Sequence, residues 1–484
     1  MDRLIEESLR LGSIAQWQAL LVQRRISVVE ALQWTLARIA ALSQIPSGLN
    51  ALGAVCEHTL AQAQRADARL RHGQPLGPLF GVPVLLKDNI LTTDGLPASA
   101  GAAALAGFIP QREARIAARL RQAGALIIGK AHMTEFADYV SDTMPAGFSG
   151  AAGMVLNPFT RVPYARGQGS SVGCAAAVSA GIVPLAIGTE TQNSIQTPAH
   201  HSSVVGFKPS VGMVSRAGIV PLVPSQDSPG PIARNVPDAA LALRCLGGVD
   251  PGDAATLPVA HVPPVPQGAA QLKNVRVGVP RRAMADRADF SLGMQAFETF
   301  LARLSAAGAV IVDPCDLPTA PAVLDLRSSV FATEFKQSLN EFLRTHGSPQ
   351  GIGSLADLIV WNQAHPECVP FGQSLLLNAQ ATRGTVDPAY RADRERDLRL
   401  CRDEGIDFTR AHHRVDVLVA PMGAAAKFTG KAGAPAVALP AGLGGDGLPF
   451  GVTVFSSTGC DAELLRIAAA MQIAAGQRVL PIDH

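Results

Sequence analysis

Apolar residues along the chain recur at two spacings. Ile14, Trp17, Leu20 and Leu21 lie three and four residues apart, and Val28, Ala31, Leu32 and Leu36 repeat the interval. Residues 13–41 therefore read as amphipathic helices, with Ser27 as the N-cap of the second. Residues 59–71, 112–123, 174–180, 292–307 and 462–473 read as further helices. Between them lie short unbroken apolar runs at 81–87, 125–129, 184–188, 275–279, 310–312, 417–421, 436–440 and 450–455. Runs of this length predict buried strands, and strands alternating with helices predict α/β layering. Residues 143–170 are rich in Gly and Pro and read as loop. A Pro/Gly-rich stretch at about 247–267 reads as a linker, and 330–412 as a charged, mostly helical insertion. There is no internal repeat.

Composition narrows the class. A length of 484 residues suits about three domains at roughly 150 residues each, or one large α/β domain. With 48% hydrophobic and 17% charged residues, the whole chain cannot be disordered. Lys and Arg total 41 against 39 Asp and Glu, a net charge of +2. That balance, with only 5% aromatics, gives no case for a nucleic-acid partner. Mean hydropathy is +0.20, yet the apolar stretches, such as 181–188, are far shorter than the roughly 20 residues of a membrane span. The first residues lack the order of a signal peptide, so the expectation is a cytoplasmic protein with no membrane partner. Seven widely spaced cysteines with no CxxC pair predict neither a disulfide framework nor a zinc site. The doublets His200-His201 and His412-His413 are poor chelates, because adjacent side chains point apart.

Three segments carry candidate chemistry. Lys87 ends the apolar run 81–87. Burying its charge is costly: lowering an amine from about 10.4 to 7 costs about 4–5 kcal/mol. A fold tolerates that where the amine acts as a base; otherwise the amine reaches water. The second segment, Gly167-Gln168-Gly169-Ser170-Ser171-Val172-Gly173-Cys174, is a loop whose N–H groups can form an anion nest. It has neither phosphate-loop spacing nor a dinucleotide fingerprint. The third, Gly188-Thr189-Glu190-Thr191-Gln192-Asn193-Ser194, sets a serine after a strand. A serine nucleophile needs a base within reach, and spacing leaves a pairing with His200 or His201 open.

Together and in this order, the three segments resemble the amidase signature family, in which 24 residues separate the two serines, as 194 − 170 does here. Residues 77–90 and Val204-Val205-Gly206-Phe207-Lys208-Pro209 are similar to the family throughout. Ser225-Gln226-Asp227-Ser228-Pro229-Gly230-Pro231, Glu334-Phe335-Lys336 and Phe371-Gly372-Gln373 resemble its bacterial peptide amidase branch. The resemblance implies a single domain over 1–484, built on a central mixed, twisted β-sheet covered on both faces by helices. Its parts are an N-terminal helical region (about 1–75), a core (about 76–245), the linker, and a C-terminal half (about 268–484). The N-terminal helices and the 330–412 insertion are expected to wall the substrate channel. The resemblance also implies a Ser–cis-Ser–Lys triad, with Ser194 as nucleophile, Ser170 as bridging serine and Lys87 as base. Thr189 supplies a supporting hydroxyl. Gly169 and the N–H groups of Thr191, Gln192, Asn193 and Ser194 surround the oxyanion. His200 and His201 become structural or pocket-lining.

The implied activity is hydrolysis of a C-terminal peptide amide or small carboxamide through an acyl-enzyme, with no cofactor and no metal, by a monomer or homodimer. The alternatives are acyl transfer to an amine acceptor, the A component of a tRNA-dependent amidotransferase, and an inactive homologue. The chain departs from the family at Gln192-Asn193, which stand where glycine-rich sequence is usual, and at Val172 and Cys174. Asn tolerates positive φ better than other side-chain-bearing residues, so Asn193 is expected to preserve a glycine-like backbone while narrowing the site.

Overall fold

Thirteen strands occur among the residues described by the computed structural model, which are 2–44, 48–258, 263–265, 272–284 and 291–481. In chain order they are β1 (Leu52–Val55), β2 (Pro83–Lys87), β3 (Leu126–Ala131), β4 (Phe148–Ser149), β5 (Gly153–Met154), β6 (Leu185–Glu190), β7 (Val205–Lys208), β8 (Ser228–Ala233), β9 (Arg276–Gly278), β10 (Val310–Val312), β11 (Val417–Pro421), β12 (Ala436–Leu443) and β13 (Pro449–Phe455). β4 and β5 form a small hairpin. The other eleven form one mixed sheet in the order β1-β3-β2-β6-β8-β7-β12-β13-β11-β9-β10. Helices flank both faces, so the central strands are apolar without alternation: every residue of β2, β3 and β6 is buried.

The centre of the sheet positions the site. β2 and β6 run parallel with Leu86 opposite Ile187. This register brings the C-terminal end of β2, with Lys87, level with Gly188, one residue before Thr189 and two before Glu190 on β6. The helix Val172–Ser179 packs on both strands, and the helix Gln196–His201 packs on β7, β12 and β13. Both helices begin just after a loop that carries a candidate serine.

The sheet runs without interruption from one half of the chain to the other, because β7 pairs antiparallel with β12 (Ala436 opposite Lys208). The first part of the stretch read as a linker is packed down. Arg216 forms an ion pair with Asp253, and Ser215 Oγ donates to Asp250 Oδ2 at 2.5 Å. Residues 259–262 and 266–271 of that region lie outside the described residues.

The helices expected within 13–41 are Ile14–Val22 and Val28–Gln44. Ser27 caps the second: its Oγ accepts from Glu30 N (3.1 Å) while Glu30 Oε2 accepts from Ser27 N (2.8 Å). Several elements were not foreseen, among them β1, the β4–β5 hairpin, β7 and the helix Val236–Leu246; two further ones show why. The helix Arg3–Leu11 buries only Ile5 and Leu9, too sparse a pattern to stand out. β8 contains Pro229 and Pro231, which normally argue against an interior strand. β7 pairs with β8 only at Ile232 and Ala233, so the prolines lie where β8 has no partner on that side. Among the described residues no helix is long and apolar enough to cross a membrane.

Candidate active site

Lys87 is fully buried at the end of β2, so the alternative in which its amine reaches water does not hold. Its Nζ donates to Ser170 Oγ at 2.7 Å, to Thr189 Oγ1 at 3.0 Å and to Thr189 O at 3.1 Å. Three oxygens thus satisfy the three donors of an ammonium. Burial lowers its pKa to about 8, with nearby Asp227, Glu190 and Asp138 opposing the shift. Asn89 Nδ2 donates to Thr189 Oγ1 at 3.0 Å and orients that hydroxyl.

Ser170 follows a cis peptide bond from Gly169 and is wholly buried. Gly169 has no room for a side chain, since a Cβ there would stand 2.5 Å from Thr134 Oγ1. That hydroxyl accepts from Gly147 N at 2.8 Å, and Thr134 N donates to Ser170 O at 3.1 Å. Ser171 ties the two candidate loops together. Its N–H donates to Ser194 O at 3.0 Å, and its Oγ donates to Thr189 O at 3.1 Å. Ser194 is buried at 4% exposure beside this junction.

The loop before Ser194 is held at its base by Glu190. One carboxylate oxygen, Oε2, accepts from Ile195 N at 2.6 Å and Gln196 N at 2.8 Å, and the other accepts from Gln196 Nε2. Thr191 Oγ1 donates to Asp227 Oδ1 at 2.5 Å, while Asp227 Oδ2 accepts from Leu222 N and Val223 N. Among the described residues, none of the N–H groups of Thr191, Gln192, Asn193 and Ser194 donates to a protein acceptor. Consecutive unused N–H groups form a preorganised anion site.

Asn193 does not have a positive φ, which corrects the expectation of a glycine-like backbone. Its side chain instead bridges loops, with Nδ2 donating to Gly167 O at 2.9 Å. Gln192 faces the helix Ala426–Ala432, where a Cβ on Gly430 would stand 2.7 Å from both Gln192 Cγ and Thr191 O.

Two cavities border these loops. One of about 330 Å³ is lined by Asn89, Ala137, Thr189 and Thr191 near the sheet and by Phe342 and His346 further out. The other, about 1240 Å³, is bordered by Gly167, Gln168, Gln192, Asn193 and His201. Helix Val330–His346 walls the smaller cavity, and no residue of 330–412 lines the larger one. The N-terminal helices line neither cavity, because their buried faces pack against strand ends and loops such as Gly81, whose carbonyl accepts from Trp17 Nε1.

Neither histidine of the doublet hydrogen-bonds Ser194. His200 is buried against Thr453 (Nε2 to Oγ1, 3.4 Å) and its pKa falls to about 3, while that of His201 falls to about 4; burial drives both shifts. Among the described residues no group of three His, Cys, Asp or Glu side chains is placed to hold a metal.

Sequence reasoning assigned no role to Asn89, Ser171, Glu190, Asp227 or Gly430. An acid at the end of a strand just before a helix start, as at Glu190, is the usual partner of free helix N–H groups, and was the one local signal available.

The Amidase family profile matches residues 30–465. A probable amidase of Arabidopsis thaliana is 33% identical, over 90% of this chain and 85% of its own. The A component of the glutamyl-tRNA(Gln) amidotransferase of Symbiobacterium thermophilum is also 33% identical, over 95% and 96%. The native peptide amidase of Stenotrophomonas maltophilia superposes with a TM-score of 0.89 at 36% identity, over 97% of this chain and 98% of that one. A peptide amidase complex with the competitive inhibitor chymostatin gives a TM-score of 0.90. The chain belongs to the amidase signature family and is a hydrolase of amide C–N bonds.

Proposed function

We propose that the chain hydrolyses a C-terminal peptide amide or a small carboxamide through an acyl-enzyme on Ser194, with Ser170 and Lys87 as proton relay. The observation that carries this reading is the 2.7 Å bond from the buried Lys87 amine to Ser170 Oγ. The 36% identity to peptide amidase over nearly the whole chain supports the substrate class.

The proposed reaction starts from neutral Lys87. Lys87 takes the Ser170 proton as Ser170 takes that of Ser194. Ser194 Oγ bonds to the amide carbon, and the carbonyl π pair moves to oxygen, facing the N–H groups of Thr191 to Ser194. Collapse breaks the C–N bond, and Ser170 delivers a proton to the departing nitrogen while Lys87 re-protonates Ser170. Water then enters by the same relay, releasing the acid and restoring Ser194. In this reading a peptidyl chain occupies the larger cavity, since ammonia, as leaving group, needs little room.

Product mass spectrometry on a panel of peptide amides, aryl amides and esters tests this, with and without added amine and beside Ser194→Ala. Acid that disappears in Ser194→Ala is the expected result. Undiminished activity in Ser194→Ala sinks the relay, and a new amide formed only with added amine moves the reading to acyl transfer.

A further inference from the structure

A buried carboxylate of the helical insertion grips the backbone two residues before Asp227. Glu334, on the helix Val330–His346, is only 6% exposed. Its Oε2 accepts from Ser225 N at 2.8 Å, and its Oε1 accepts from the Tyr390 hydroxyl at 2.9 Å. Tyr390 stands on the helix Pro388–Leu398. Arg394, one turn further along that helix, donates from Nη2 to Ser225 O at 3.4 Å and from Nη1 to Lys431 O at 3.1 Å. Side chains of the insertion therefore hold both backbone groups of Ser225. A carboxylate is costly to bury unless its oxygens are hydrogen-bonded, and here each oxygen has its own donor.

Ser225 lies in a turn that reaches the proposed oxyanion loop. Gln226 N and Asp227 N both donate to Val223 O at 2.8 Å. Asp227 Oδ2 accepts from Leu222 N and Val223 N at 2.9 Å each. Residues 222–227 are thus one closed turn, and a shift of Ser225 carries Asp227 with it. Asp227 Oδ1 in turn holds the Thr191 hydroxyl at 2.5 Å, and the next residue, Ser228, pairs with Glu190 in the sheet. The second contact of Arg394 leads to the same loop. Lys431 follows Gly430, which packs on Thr191 O and Gln192. The insertion reaches residues 191 and 192 by two routes, through Asp227 and through Gly430.

We propose that Glu334 is a positioning residue for amide hydrolysis: through Ser225 and Asp227 it fixes Thr191, and with it the direction of the N–H groups that face the oxyanion. The proposal rests on the reading of residues 191–194 as the oxyanion loop and of Ser194 as the nucleophile. Glu334 touches no reacting atom. It acts because a misplacement of about 1 Å in a catalytic constellation costs on the order of 10²-fold in rate.

The test is steady-state kinetics of the full chain on a peptide amide, with thermal unfolding alongside. Two inhibitors separate the loop from ground-state binding. Ser194 Oγ adds to a peptide aldehyde and places its oxygen at the loop, whereas the peptide acid of the same sequence binds without bond formation. Glu334→Ala is expected to lower kcat about tenfold or more with KM within about twofold. Its affinity for the aldehyde should fall in parallel, and that for the acid should hold. Glu334→Gln keeps an acceptor for Ser225 N and should recover most of the loss. Lys336→Met is the matched structural control: Lys336 Nζ ties the same helix to Gln380 O and Thr382 O, so this variant should lose Tm and keep kcat. Where Glu334→Ala does not fold, Tyr390→Phe carries the test, with a fall in kcat of about threefold and the same split between aldehyde and acid. Unchanged kcat in the variant that folds, a loss confined to KM, or an equal loss of kcat in Lys336→Met overturns the proposal. Full activity in Ser194→Ala removes the underlying reading, whereas an inactive Ser194→Ala beside undiminished kcat in Glu334→Ala removes this inference alone.

Discussion

Asn193 Nδ2 donates to the carbonyl of Gly167 at 2.9 Å, so a side chain from the loop before Ser194 holds the loop that leads to Ser170. The bond is exposed at the edge of the larger cavity, and an exposed neutral hydrogen bond is worth about 0.5–1.5 kcal/mol. Its consequence is steric as much as energetic, because the residue also lines that cavity. Asn193→Gly is expected to lower stability by about 1 kcal/mol, including the entropic cost of glycine. It is also expected to raise kcat/KM for bulky amides relative to small ones by about three- to tenfold, a range set by a few contacts in a pocket. Kinetics on a small and a bulky amide, with thermal unfolding alongside, checks both. An equal effect on both substrates would show that Asn193 acts on the backbone alone.

Lys87 fixes the expected pH profile. The proposed relay needs the neutral amine, and burial lowers its pKa to about 8. At pH 7 about one molecule in ten is then competent, so kcat/KM should rise about tenfold per pH unit below 8 and level off above it. The stability sign follows from the same shift. The folded pKa lies below the ordinary 10.5, so the unfolded chain binds the extra proton between about pH 8 and 10.5, and the Lys87 contribution becomes more favourable as pH rises through that window. Lys87→Met should cost about 10²–10⁴-fold in kcat, the scale of a general base. A pH-independent rate between 6 and 9 would remove Lys87 from the chemistry.

Strands such as β2, β3, β6 and β11 were legible because each is an unbroken apolar run, the signature of a strand buried on both faces. The candidate serines and lysine were legible because motif order and spacing survive in the sequence. What supports them was not. Glu190, Asp227 and Ser171 act across loops, through bonds that link residues 5 to 36 positions apart, and no period or motif announces such pairs. Asn193 shows the limit most clearly: its identity suggested a backbone role, and only the position of Gly167 reveals a side-chain one.

Glu190 is expected to be a positioning residue for Ser194. Its carboxylate takes the N–H groups of Ile195 and Gln196 from a fully buried site. Glu190→Ala leaves these donors buried and unpaired, at about 1–3 kcal/mol each. Glu190→Gln retains an acceptor oxygen and should recover about half of the loss. Denaturant unfolding reads the stability, and kcat is expected to fall with KM nearly unchanged. A change confined to KM would place the effect in substrate binding instead.

Gly430 gives a test of loop placement from the far side. It does not have a positive φ, so alanine is allowed by its backbone. The added methyl would stand 2.7 Å from Thr191 O and Gln192 Cγ and 2.9 Å from Gln192 Cα. Overpacking of this kind costs about 1–3 kcal/mol, and here the strain falls on the proposed oxyanion loop. Gly430→Ala should therefore lower kcat more than stability predicts. Full activity with reduced stability would show that the helix yields and the loop does not move.

His200 separates the two bases that the sequence left open. Its folded pKa of about 3 lies below the ordinary 6.5, so the unfolded chain binds the extra proton between those values. The His200 contribution is fully present above pH 6.5 and is lost as pH falls toward 3, on the order of 4 kcal/mol at the acid end. Unfolding free energy measured at pH 7 and pH 4.5 should therefore fall less in His200→Gln than in the parent chain. The activity limb near pH 8 should persist in the same variant, since no hydrogen bond joins His200 to Ser194. A limb at pH 6–7 in the parent that disappears in His200→Gln would assign the base to histidine and displace Lys87.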